Sequence, residues 1–236
     1  MDEVLELVER SNQRGGRMLS VVDLLAAETL TLAQAAWLLA RVEAGSGWLV
    51  GARPGGAGKT AIMSALLAML PAGERVRLAH PGTGWEAAAP GECVVAYEIG
   101  AGRYDAYVWG ADVRRLTELG RAGCRIVSNL HADTLAEARA QVVEQCGATP
   151  AGLAAFGVFL PITITGTPRR RVVRELHQAA GDGAWAPVAL PATPPAREAA
   201  IAAFLADCAA RRVIRVEDVR PAWLAWCDVH RGSSQL

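Results

Sequence analysis

Gly51-Ala52-Arg53-Pro54-Gly55-Gly56-Ala57-Gly58-Lys59-Thr60 is the stretch whose reading decides the fold. It follows an apolar run, Trp48-Leu49-Val50, and leads into a helical pattern from Ala61 to Leu70. Strand, glycine loop and helix in that order form the setting a phosphate-binding loop requires. Glycine lets the backbone turn tightly, so that its N–H groups can approach phosphate oxygens. The first turn of the following helix adds N–H groups and the positive end of a dipole. Gly55, Gly56, Ala57 and Gly58, with Lys59, Thr60 and Ala61, are therefore the candidate nucleotide-binding residues. Lys59 is placed to reach terminal phosphates, and the Thr60 hydroxyl to hold Mg²⁺. One position departs from G-x-x-x-x-G-K-[ST]: the first glycine falls at 53, where this chain has Arg, and Gly51 lies two residues too early.

Composition strengthens that reading. Of 24 basic residues Lys59 is the sole lysine, the other 23 being Arg. A planar guanidinium imitates a compact ammonium poorly, so the one lysine stands where replacement is least tolerated. The chain has 236 residues, 52% of them hydrophobic, and zero formal charge. That size allows one large domain with an appendage. Neutral charge and the lack of a readable basic groove argue against direct contact with nucleic acid. No apolar run reaches the length of a membrane span, and the acidic beginning is unlike a secretory signal. Five cysteines at 93, 124, 146, 208 and 227 show no metal-ligand spacing and read as reduced, buried thiols of a cytoplasmic protein.

Working outward, residues 2–10 read as a short helix. Thr31-Leu32-Ala33-Gln34 is a capping box that opens a helix to about residue 44, expected to pack on the nucleotide sheet because it leads into the loop strand. Residues 75–79 and 93–98 read as strands. The second ends in Glu98, which reads either as the carboxylate that a buried parallel strand of P-loop proteins delivers beside the γ-phosphate or as a solvated residue just past the strand. Residues 104–122 read as a helix with Tyr107 and Val108 on its core face. Strand 124–128 runs towards His131, at the carboxyl end where open α/β sheets bind ligands, and Thr134 or Asp133 caps a helix to about 145. Strand-like residues 157–164, a basic turn at 166–171 and a strand at 172–177 form a terminal antiparallel hairpin. Arg169-Arg170-Arg171 reads as a solvated turn. Four prolines mark 187–195 as a linker. Helices at 196–211 and 219–229 follow, the second carrying Trp223 and Trp226 for core or subunit contact.

So ordered, residues 18–180 resemble the type II/type IV secretion ATPase superfamily, the archaeal-type branch above all. Val94-Val95-Ala96-Tyr97-Glu98-Ile99 resembles its Walker B strand. Ser128-Asn129-Leu130-His131-Ala132-Asp133-Thr134 is similar to its histidine box, and Arg170-Arg171-Val172-Val173 to its arginine-rich final strand pair. The resemblance implies a RecA-like P-loop core, ATP and Mg²⁺ as ligands, and Lys59, Glu98 and His131 as catalytic residues. Glu98 would orient water and share Mg²⁺ with Thr60, and His131 would contact the γ-phosphate region. The fold expected is α/β, with a mostly parallel sheet, a terminal antiparallel hairpin and a small C-terminal helical appendage. Its parts would be a short N-terminal segment at 1–30, the ATPase domain at 31–186, and linker with helices at 187–236. Two functions follow as expectations. One is a motor subunit powering filament assembly or export. The other is a nucleotide-binding regulatory or structural partner of a longer ATPase. The implied partners are further copies of the chain, as a weak or nucleotide-dependent oligomer up to a hexamer, and a pilus or secretion platform protein that holds it peripherally at the membrane. Besides Arg53, the chain departs from the pattern in five places, one being a connection from residues 79–83 to the Glu98 strand that is much shorter than usual. No carboxylate stands at 79–83, Tyr97 replaces a glycine, Gly100 replaces an arginine with Arg103 the nearest, and the N-terminal segment is short.

Overall fold

The computed structural model describes residues 2–12, 15–102, 104–181 and 183–230. The chain begins with three helices, α1 (Glu3–Arg10), α2 (Val21–Ala26) and α3 (Leu32–Glu43). Strand β1 (Trp48–Gly51) follows, then α4 (Lys59–Leu67), β2 (Val76–Leu78), β3 (Cys93–Val95), β4 (Glu98–Ile99) and β5 (Tyr107–Val108). Next come α5 (Ala111–Arg121), β6 (Arg125–Leu130), α6 (Leu135–Arg139) and α7 (Pro150–Ala154). The strands β7 (Val158–Thr165), β8 (Arg170–Val173), β9 (His177–Ala179) and β10 (Trp185–Pro187) precede the last helices, α8 (Ala196–Ala210) and α9 (Val216–His230). Among the described residues no helix is long and apolar enough to cross a membrane. All five cysteines are buried and free.

The protein is α/β with a mostly parallel, mixed sheet. The main path runs β10-β9-β7-β1-β6-β3-β2. From β7 to β2 every neighbour is parallel. β8 and β9 both return antiparallel on β7, against residues 162–165 and 158–159 respectively. The second strand of the expected hairpin is thus two short strands, and β10 extends the antiparallel edge. Every residue of β1, β3 and β6 is buried; β1 and β3 are the continuous apolar runs expected of strands covered on both faces, whereas β6 also carries Arg125, Ser128 and Asn129. Leu49, Val94, Ile126 and Phe159 belong to one core cluster. Burying each such side chain stabilises by roughly 1.5–3 kcal/mol. Pro161 is tolerated in β7 because it pairs with Gly51, the last residue of β1, where the ladder ends.

The chain forms two compact units. One comprises Gly45–Met63 and Glu74–Ala189 and holds the sheet; the other comprises Met1–Ala44, Ser64–Gly73 and Leu190–Leu236. In the helical unit the capping box forms as read: Thr31 Oγ1 accepts from Gln34 N at 3.2 Å, and Gln34 Oε1 from Thr31 N at 2.9 Å. α3 packs on α8, tied by Arg41–Glu198 at 3.0 Å and by Arg197 on Glu43. Of the two readings of Trp223, core or subunit contact, the structure shows core. The side chain is fully buried and donates Nε1–H to Met69 O at 2.8 Å, while Trp226 stacks on it at 5.2 Å.

Two further expectations change. Tyr107 and Val108 lie in a strand, not in a helix over 104–122. Ala106 and Gly110 adopt positive φ, which a continuous helix cannot contain, so α5 starts only at Ala111. The expected helix to 145 is α-helical only through Arg139 and continues as a π-helix, Ala140–Gln145.

Candidate functional site

The glycine-rich loop leaves the carboxyl end of β1 and closes into α4. Gly51 is needed there for close approach: a Cβ would come within 2.4 Å of Ala132 O and 2.8 Å of the Phe159 ring. Gly58 is needed for conformation, with φ +94° just before Lys59 starts the helix. Gly58 O accepts from Ile62 N at 3.2 Å, which places Lys59, Thr60 and Ala61 in the first turn. Gly55 and Gly56 are exposed, Ala57 is buried, and Gly58, Thr60 and Ala61 are half-buried. Arg53, at the place of the missing glycine, has no positive φ. The loop therefore does not need glycine at 53. Instead Arg53 N donates to Asp133 Oδ1 at 2.8 Å, and its Nε to Glu137 Oε2 at 3.1 Å. Asp133 N also donates to Glu137 Oε2, and Thr134 caps α6 through Glu137 N at 3.2 Å. These bonds dock the loop on the start of α6.

Three residues far apart in sequence meet behind the loop. Lys59 is 8% exposed at its side chain, and its Nζ donates to Ala52 O at 3.1 Å. The same Nζ lies 3.4 Å from His131 Nδ1 and 3.7 Å from Glu98 Oε1. Glu98 is 10% exposed; Oε1 is ion-paired with Lys59 and in contact with His131 Nε2, while Oε2 accepts from Tyr107 OH at 3.3 Å. His131, more open at 44%, also places Nδ1 2.9 Å from Arg53 O. Its ring thus bridges the loop backbone and the carboxylate.

Glu98 is placed by a break rather than by an unbroken strand. The expected run 93–98 stops at Val95, and Ala96 and Tyr97 bend before β4 resumes. Throughout the bend the chain stays on β6. Val95 pairs with Val127, Asn129 Nδ2 donates to Tyr97 O at 2.9 Å, and Ile99 pairs with Leu130. β4 also pairs with β5 in register Glu98↔Tyr107, which sets the tyrosine hydroxyl on the carboxylate. β6 separates β3 from β1, so the acid-bearing segment begins two strand spacings, roughly 9–10 Å, from the loop strand.

The chain matches no protein-family model and no curated protein. The reading of the site rests on its own geometry.

Two contributors, Arg171 and Tyr107, have no site signal in the sequence. Arg171, read as part of a solvated turn, donates from Nη2 and Nε to Gly56 O at 3.1 and 3.3 Å. The basic turn is visible there, but nothing in the spacing links it to the loop. Tyr107 was hidden by its assignment to a helix. Asp105 forms a half-exposed pair with His80 Nδ1 at 2.8 Å, just past the end of β2. Arg103 lies outside the described residues. Among the described residues no three His, Cys, Asp or Glu side chains converge to hold a metal ion by themselves.

Proposed function

We propose that this chain binds Mg·ATP at the loop spanning residues 51–60 and hydrolyses it, as a small motor subunit of the secretion and type IV pilus ATPase type built on a RecA-like P-loop core. The observation that carries the reading is the meeting of Lys59, Glu98 and His131 behind a glycine loop, just past the carboxyl ends of β1, β3 and β6. Ligands of open parallel sheets bind at that edge. The residues present fit the ligand: the helix start offers N–H groups, Lys59 a buried cation, Thr60 a hydroxyl, and Glu98 a carboxylate whose Oε1 is shielded from water and makes no well-aligned hydrogen bond.

The division of labour follows from these positions. The amides of residues 55–61 and Lys59 hold the β- and γ-phosphates. Thr60 and Glu98 are the groups that would hold Mg²⁺, which when bound neutralises charge on the transferred phosphoryl group. Glu98 orients the attacking water, and Tyr107 and His131 fix the direction of its two oxygens. Catalysis is electrostatic, through groups set in place before the reaction begins. The setting we infer is the cytoplasmic face of a membrane, with further copies of the chain and a secretion or pilus platform protein as partners.

Calorimetric titration of Mg·ATP into wild type and Lys59→Ala, with phosphate release measured alongside, tests the proposal. Binding by wild type, its loss in the variant and slow phosphate release are the expected results. Equal affinity in both proteins would sink the nucleotide-site reading. Tight binding without turnover would assign the chain to the regulatory partner instead.

A further inference from the structure

The returning strand β8 carries a second cation onto the loop. Arg171 stands opposite Ile164 in the β7–β8 register, one residue after Arg170, which pairs with Thr165 where the strand leaves the turn at Arg169. Its guanidinium makes two bonds to one neutral carbonyl, Gly56 O, at 3.1 and 3.3 Å. Its stem lies over the next glycine, where a Cβ on Gly58 would meet Arg171 Cδ at 3.1 Å. The side chain is thus laid along the two glycines, 56 and 58, whose φ is positive. A bond from guanidinium to phosphate is charge-assisted at both ends and about twice as strong as one between neutral groups. A phosphate oxygen arriving at this loop would therefore compete well with Gly56 O for the same N–H groups.

We propose that Arg171 is a phosphate-contacting residue, an arginine supplied by the chain's own hairpin that takes a phosphate oxygen of bound nucleoside triphosphate in place of Gly56 O. This rests on the loop being the nucleotide site. It gives that site a cation of a different kind from Lys59, which is buried and already shared among Ala52 O, His131 and Glu98. Arg171 is exposed and tied only to a carbonyl among the bonds it makes to the loop. It also supplies a guanidinium in a chain with glycine at position 100, two residues beyond Glu98. Arginine suits the role because its fork can hold two oxygens at once.

The test compares wild type, Arg171→Ala, Arg171→Lys and Lys59→Ala in calorimetric titrations with Mg·ATP, Mg·ADP and AMP. Thermal unfolding of each protein checks that it is folded. Arg171→Ala is expected to weaken ATP binding about tenfold, the worth of one charge-assisted contact, to weaken ADP less and to leave AMP unchanged. Arg171→Lys should recover part of the loss, since it keeps the charge without the fork. Unchanged ATP affinity in Arg171→Ala overturns the proposal, as does an equal loss for all three nucleotides, which would mark a purely structural contact. If Lys59→Ala abolishes binding while Arg171→Ala does not affect it, the role of Arg171 alone fails. If Lys59→Ala binds ATP like wild type, the nucleotide site itself fails, and this proposal with it.

Discussion

Replacing Glu98 by Gln separates binding from chemistry, because the carboxylate touches both. In the structure Glu98 Oε1 lies 3.7 Å from Lys59 Nζ, and the two side chains are 10% and 8% exposed. At an effective dielectric of about 20, unit charges at that distance attract by about 4–5 kcal/mol. Desolvation offsets most of this. If about 1 kcal/mol survives, it is attraction that an incoming phosphate must replace, since Lys59 cannot serve both partners fully. Glu98→Gln keeps the shape and the amide can still accept from Tyr107, so ATP should bind as well as in wild type or up to about fivefold tighter. Turnover should fall by about a hundredfold or more, about 2.7 kcal/mol of lost transition-state stabilisation. Titration calorimetry gives the first quantity, and phosphate release at saturating Mg·ATP the second. Unchanged turnover would refute the assignment. A loss of binding as large as the loss of turnover would make Glu98 a binding group, not one acting in the reaction.

Two further outcomes follow from the same coordinates. Gly51→Ala places a Cβ 2.4 Å from Ala132 O, backbone that cannot step aside; overpacking of about 3 kcal/mol should lower the thermal midpoint by about 6–12 °C, and a midpoint within about 2 °C of wild type would show that the approach is not tight. Glu92 is held at a pKa of about 2, chiefly by the Arg77 guanidinium bonded to it at 2.6 Å, with Ala89 N–H and Arg75 adding to the effect. A depressed carboxyl stabilises the folded state above its unfolded value, about 4.3, and that stability is lost as the pH falls from there towards 2. Arg77→Met should therefore lower the urea midpoint most at pH 6–7, with the gap to wild type closing below about pH 4; a gap independent of pH would contradict the linkage.

What could be read locally was read. Residues 48–67 specify strand, loop and helix through an apolar run, glycines that take positive φ at 56 and 58, and a helix rich in Ala, Leu and Met with no Gly or Pro after Lys59. The Thr31–Gln34 box and the Thr134 cap are likewise short-range, since each side chain bonds a backbone group three residues away. Position 53 shows where a motif is narrower than its physics: the backbone there needs no positive φ, so arginine serves and adds a tie to Glu137.

What depends on distant partners was decided by tertiary structure. Nothing periodic in residues 93–130 says that β6 lies between β1 and β3, or that the chain bends at Ala96 and Tyr97 to bring Glu98 within reach of Lys59. Tyr107 passes for a helix residue until its pairing with Glu98 is known, and Arg171 for a solvated one until β8 folds back on β7. The capped helix α3 was legible as a helix, but its partner α8 lies more than 150 residues away in sequence. The physical reason is the same in each case. Caps, turns and periodicity are settled by bonds within one turn of the chain, whereas strand order and side-chain convergence arise from long-range pairings that leave no spacing in the sequence.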